Sequence, residues 1–104
     1  MVLTPFNGYD FENTSGGDRL VSCSPHLDVA GGTGPFNYLW SITSSANAPV
    51  LSDPTAQYCT VSKNVSQFTS GTASATLSCT VTDSLGQVAV ANNILADLEW
   101  ENVL

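Results

Sequence analysis

Leu77-Ser78-Cys79-Thr80-Val81-Thr82-Asp83-Ser84-Leu85-Gly86, read together with Gly31-Gly32-Thr33-Gly34-Pro35-Phe36-Asn37-Tyr38-Leu39-Trp40-Ser41, decides the fold. From Thr72 to Thr82, Ala73, Ala75, Leu77, Cys79 and Val81 alternate without a break with Ser74, Thr76, Ser78, Thr80 and Thr82. Successive side chains of a strand point to opposite faces, so this period of two marks a β-strand with one buried face. Asp83 to Gly86 then reads as a hairpin turn, shaped by the aspartate side chain. In the second stretch, glycines and Pro35 make a turn. Phe36, Tyr38, Trp40 and Ile42 then alternate with Asn37, Leu39, Ser41 and Thr43. Trp40 is the natural centre of the core.

The same pattern extends outward. Leu20 to Cys23 is a short strand, punctuated by Pro25, which cannot donate to a ladder. In His26 to Ala30, Leu27 and Val29 share one face, leaving His26 at the surface. Val50-Leu51 and Gln57 to Val61 are further strand candidates, and Asn64 to Gly71 reads as a connector. After the hairpin, Val88, Val90, Ile94, Leu98 and Trp100 keep one parity, interrupted by Asn92. That places Val88 and Val90 in the core and predicts a bulge, or an exit from the sandwich, near Asn92-Asn93. No segment shows a helical period. About seven short strands with regular turns predict an all-β, immunoglobulin-like antiparallel sandwich. Its expected core is Leu27, Val29, Tyr38, Trp40, Leu77, Cys79, Val81, Val88 and Val90. Three parts are expected: residues 1–20 as an N-terminal arm or an edge strand, the sandwich over 21–96, and a C-terminal tail over 97–104.

Bulk properties exclude several classes. The 104 residues make one domain; 42% are hydrophobic and 11% charged, which is not the composition of a disordered chain. The net charge is −7, and Arg19 and Lys63 are the basic residues. Binding a phosphate backbone needs several Lys or Arg contacts, so nucleic acid is not an expected partner, and an anionic membrane is disfavoured for the same reason. No apolar run approaches the ~20 residues of a membrane helix. Residues 1–6 lack the basic and apolar regions of a secretory signal. Cys23, Cys59 and Cys79 are odd in number and form no CxxC pair, which favours reduced, buried thiols over a disulfide framework or a zinc site.

Gly-Gly-Thr-Gly-Pro-Phe-x-Tyr-x-Trp-Ser at 31–41, Asp53-Pro54-Thr55-Ala56, and Ser74 to Asp83 resemble PKD-like and immunoglobulin-like domains over roughly residues 24 to 96. Such domains occur in virion proteins of tailed bacteriophages, on tails and capsids, and on bacterial surface proteins. Antibody-type domains pair two cysteines across the sandwich. Here Cys79 holds the second position, but Leu27 and Val29 occupy the facing strand. Whether Cys23 and Cys79 pair is left open. Leu77 stands where antibody domains carry a conserved tyrosine.

Chemistry is sparse. His26 is the lone histidine and no serine shows a nucleophile-elbow pattern, so no enzyme is expected. The expectation is no cofactor, with calcium on Asp10, Glu12, Asn13, Asp18 or Asp53 as the lesser alternative. What the resemblance implies is a structural protein of a phage particle, made in the host cytoplasm and carried in the virion. Capsid decoration ranks ahead of a tail position. Docking on a capsid or tail protein is assigned to Phe6, Tyr9, Phe11, Trp100 and Leu104, and self-association is allowed for. The alternative is a surface adhesion module binding host glycans through loops 31–35, 44–56 and 64–71.

Overall fold

The computed structural model describes residues 1–13, 18–66 and 68–102. Leu104 and most of the expected loop at Asn13 to Asp18 lie outside the described residues. Among the described residues nine strands run in order: β1 Val2–Phe6, β2 Gly8–Asn13, β3 Arg19–Cys23, β4 His26–Ala30, β5 Asn37–Ala46, β6 Val50–Ser52, β7 Thr60–Val65, β8 Thr69–Thr82 and β9 Val88–Asn102. One layer is a four-stranded sheet in the order β2-β9-β8-β5; the other comprises β3-β7-β6 and the β1-β4 ladder. β3 and β4 act as two halves of one strand. Val21, Cys23, Pro25 and Leu27 are all buried, so the inward parity runs straight through the proline. Around Pro25 the ladder is carried by Cys59 N–H donating to Pro25 O (3.2 Å) and a bridge between His26 and Tyr58.

This is an all-β, immunoglobulin-like sandwich. All its ladders are antiparallel except β2 with β9, which is parallel and runs in register from Gly8↔Ala96 to Asn13↔Glu101. Residues 1–13 are therefore strands of both layers. The radius of gyration, 15.5 Å, exceeds the ~13 Å of a compact chain of this length. The cause is the β8–β9 hairpin: at ~3.3 Å per residue these strands reach nearly 50 Å, and the molecule measures 53 × 21 × 16 Å.

The alternation of β8 is realised: Ala73, Ala75, Leu77, Cys79 and Val81 are buried against Val21, Leu27, Cys59 and Val61 of the facing layer. β9 departs from the expected parity. Leu77 opposes Ile94 but Cys79 opposes Ala91, so β9 carries one extra residue at Asn92-Asn93, where Asn93 has φ 58°. The bulge lies where the asparagines predict it, yet β9 stays paired beyond it to Asn102. Val88 and Val90 are corrected from core to surface, 61% and 54% exposed, while Ala91 is buried. The hairpin register is the reason. Val88 and Val90 oppose Thr82 and Thr80, and directly opposed residues share a face, here the outer one. Tyr38 and Val29 are corrected to half-buried: both pack against the core cluster from strands at a sheet edge, where one flank stays open.

Candidate docking surface

One polar knot fastens the turn after β8. Asp83 accepts hydrogen bonds at Oδ1 from Leu85 N–H (3.0 Å) and Gln87 N–H (2.8 Å), and at Oδ2 from Thr33 N–H (3.2 Å). Ser84 N–H and its hydroxyl both donate to Thr33 O (2.9 and 3.0 Å). The turn after β8 is thereby fastened to the glycine loop before β5, whose Gly31 and Gly32 have φ of 76° and 73°. Burial acts to raise the Asp83 carboxyl, but the three backbone donors outweigh it and hold the group below its usual range.

Three rings stack on the flank of the β1–β4 ladder. Phe6 and His26 lie parallel with centroids 4.5 Å apart, and His26 and Tyr58 at 4.3 Å. The register supplies this: Phe6 pairs with His26 and His26 bridges Tyr58. His26 is thus a spacer between two aromatic rings.

Tyr9 and Phe11 form a second group on the outer side of β2, 63% and 44% exposed. The parallel register sets them beside Asp97 and Glu99 of β9. The Tyr9 hydroxyl donates to Glu99 Oε2 (3.4 Å). Its pKa is raised, first by desolvation and then by the Glu99 carboxylate. Phe6, Tyr9 and Phe11 are therefore all presented at the surface.

Trp100 is not. It is 8% exposed, and its position is corrected from docking residue to core. β9 remains in the sheet to Asn102, and Trp100 faces Gly71 across the ladder. A Cβ at Gly71 would lie 3.0 Å from Trp100 Cζ2, so the ring occupies the space the glycine leaves open. The Trp100 indole nitrogen is buried with no hydrogen-bond partner among the described residues.

Two exposed features escaped the sequence pattern. Phe68 is 70% exposed with φ 65°, a backbone region that bulky side chains rarely adopt. It stands in the turn between β7 and β8, inside loop 64–71. Leu39 opposes Thr80, which opposes Val90, so an exposed apolar row crosses the outer face of the four-stranded sheet. A φ > 0 phenylalanine leaves no mark in sequence, and the row follows from the bulge.

The candidate ligand groups are dispersed. Asp10 accepts from Ser22 N–H (3.4 Å), and Asp53 sits at φ 53° in the turn after β6. Among the described residues no three His, Cys, Asp or Glu side chains come together as a metal site, and no cavity opens. Cys23, Cys59 and Cys79 are unpaired thiols. Burial pushes Cys59 up to about 12 and Cys23 and Cys79 to about 11, which keeps them protonated and unreactive at neutral pH.

No protein-family model matches the sequence, and no curated protein matches it. Among solved structures the chain is similar to the M1 domain from titin, at 11% identity and a TM-score of 0.43, covering 100% of this chain and 99% of that one. The sandwich assignment rests on the strand pairing described above.

Proposed function

We propose that this domain is a non-enzymatic structural protein that docks on a larger protein assembly, namely a tailed-phage particle, with capsid decoration as its role. The observation that carries the docking part is the exposure of Tyr9 and Phe11 on a paired sheet strand. Aromatic side chains held on sheet strands offer large contact area at low conformational-entropy cost. The phage part rests on the sequence resemblance alone.

Quantitative mass spectrometry of purified particles from the source tests the reading. Glu-C is the suitable protease, because trypsin has two basic residues to cut at. Hundreds of copies per particle are expected for decoration. A handful would place the protein on a tail or vertex, and none would overturn the virion reading. Tyr9→Ser with Phe11→Ser should abolish co-sedimentation with particles while leaving the melting temperature nearly unchanged. Undiminished co-sedimentation would remove β2 as the docking strand.

Phe68 favours a second reading, an adhesion module gripping glycans at loop 64–71. Phe68→Gly separates the roles: it relieves the positive φ and so stabilises the fold, while removing the ring. A glycan array positive for the native protein and blank for this variant is the expected result on that reading. An array blank for both discards it.

A further inference from the structure

We infer that the outer face formed by β2 and β9 binds an extended basic segment of the protein it docks on, with arginine or lysine at alternate positions. The inference rests on the docking reading of Tyr9 and Phe11 and names the chemistry of their partner. Strand register sets the face out in columns. Tyr9, Phe11 and Asn13 of β2 pair with Asp97, Glu99 and Glu101 of β9. These in turn oppose Ser74, Thr72 and Ser70 of β8. A file of three carboxylates thus runs between a column led by two aromatic rings and a column of hydroxyls. Alternate residues of a strand repeat every ~6.6 Å, so the three charges stand at that pitch. β2, β5, β8 and β9 contain no Lys, Arg or His, so this sheet supplies no cation to the file. Arg19 and Lys63 belong to β3 and β7 of the other layer.

Charge and pitch select the occupant. Like charges in file repel one another, and a cationic partner turns that repulsion into attraction. A second copy laid on this face would set one acid file against another, and a phosphate backbone would be repelled in the same way. A calcium ion needs about six to eight oxygens converging on it. Carboxylates in file along a strand do not converge, and among the described residues no three such groups come together as a metal site. An extended polypeptide has the same ~6.6 Å repeat on each of its faces, so basic side chains at alternate positions meet Asp97, Glu99 and Glu101 one to one. Arginine fits best, because its planar fork engages a carboxylate through two hydrogen bonds and stacks on an aromatic ring. Tyr9 and Phe11 offer exposed rings beside the acids. The Tyr9 hydroxyl donates to Glu99 Oε2 (3.4 Å), which holds ring and carboxylate together for one cation to meet both.

The probe is a peptide of alternating arginine and threonine, titrated into the full chain by calorimetry. Binding is expected at low salt and should weaken as salt rises. Asp97→Asn with Glu99→Gln should weaken it at least tenfold. Asp28→Asn with Asp53→Asn makes the same charge change on exposed acids of β4 and of the turn after β6, and should weaken it less than about twofold. The melting temperature of the first variant should hold or rise, so its loss of binding is no loss of fold. No binding at low salt overturns the inference. Equal losses in the two variants also overturn it, since net charge alone would then attract the peptide. Particle co-sedimentation separates this inference from the reading it rests on. Loss with Tyr9→Ser and Phe11→Ser but not with Asp97→Asn and Glu99→Gln keeps the docking strand and discards the basic partner. Loss with both pairs supports both, and loss with neither discards both.

Discussion

The two tryptophans mark two ends of one sandwich built on different terms. At one end, Trp40 donates from its backbone to Pro54 O (2.7 Å) and from its indole to Ala56 O (2.8 Å), so the turn after β6 closes over it. The Asp83 knot lies on the same side of the molecule, next to the glycine loop that leads into β5. At the other end, Trp100 fills the space over Gly71, and its indole nitrogen finds no partner among the described residues. A buried donor left without a partner costs about 1–3 kcal/mol. Equal burial therefore conceals unequal roles: Trp40 joins three chain segments, whereas Trp100 fills volume.

The comparison can be broken most forcefully at Trp40. Trp40→Ala should cost about 3–5 kcal/mol in urea unfolding, through cavity formation and the loss of the indole donor to Ala56 O, while the backbone bond to Pro54 O remains. The pair Trp40→Phe and Trp100→Phe is sharper. At Trp40 the phenyl leaves Ala56 O without its donor. At Trp100 it removes the orphaned N–H, so this variant should be markedly less destabilised. Equal losses at the two sites would refute the distinction.

Asp83 is the next lever. Its carboxyl is held low in the folded state, so its contribution is fully present above the ordinary carboxylate pKa and is lost as pH falls through the depressed folded value. Melting temperatures measured from pH 6 downward, below ~4 above all, should fall less steeply for Asp83→Asn than for the native chain. The variant should also start from a lower melting temperature at neutral pH. Parallel curves would remove Asp83 as the acid-sensitive fastening.

At the Trp100 end, Gly71→Ala should cost about 1–3 kcal/mol by overpacking the ring. Adding Trp100→Phe should recover part of that loss in a double-mutant cycle. The smallest effect is expected on the outer face, where Val88→Thr and Val90→Thr should each stay within ~0.5 kcal/mol. A loss of several kcal/mol at either valine would mean that the hairpin register places them inside.

β8 was legible because its alternation is unbroken and its turn carries its own aspartate, so period two maps directly onto the two faces of a sheet. Trp40 was legible because it lies mid-strand beside glycine and proline turns. The inward face of Leu27 was legible from its own strand, but its continuity with Val21 and Cys23 was not, because proline reads as a strand end and only the pairing with Cys59 and Tyr58 carries the ladder past it. Local pattern thus determined the fold class, the central strands and the site of the β9 bulge.

Tertiary structure decided the rest. Which face Val88 and Val90 occupy depends on their partners Thr82 and Thr80, and a one-residue bulge reverses every side chain before it. That Trp100 is buried depends on Gly71, nearly thirty residues away in sequence but directly opposite in the ladder. The Phe6–His26–Tyr58 stack joins residues that are neighbours only through strand pairing. The parallel seat of β2 on β9, which turns Tyr9 and Phe11 toward solvent beside the acids of β9, is likewise set by long-range pairing. Periodicity reports which residues share a face of their own strand; register with a distant strand decides whether that face meets the core or the solvent.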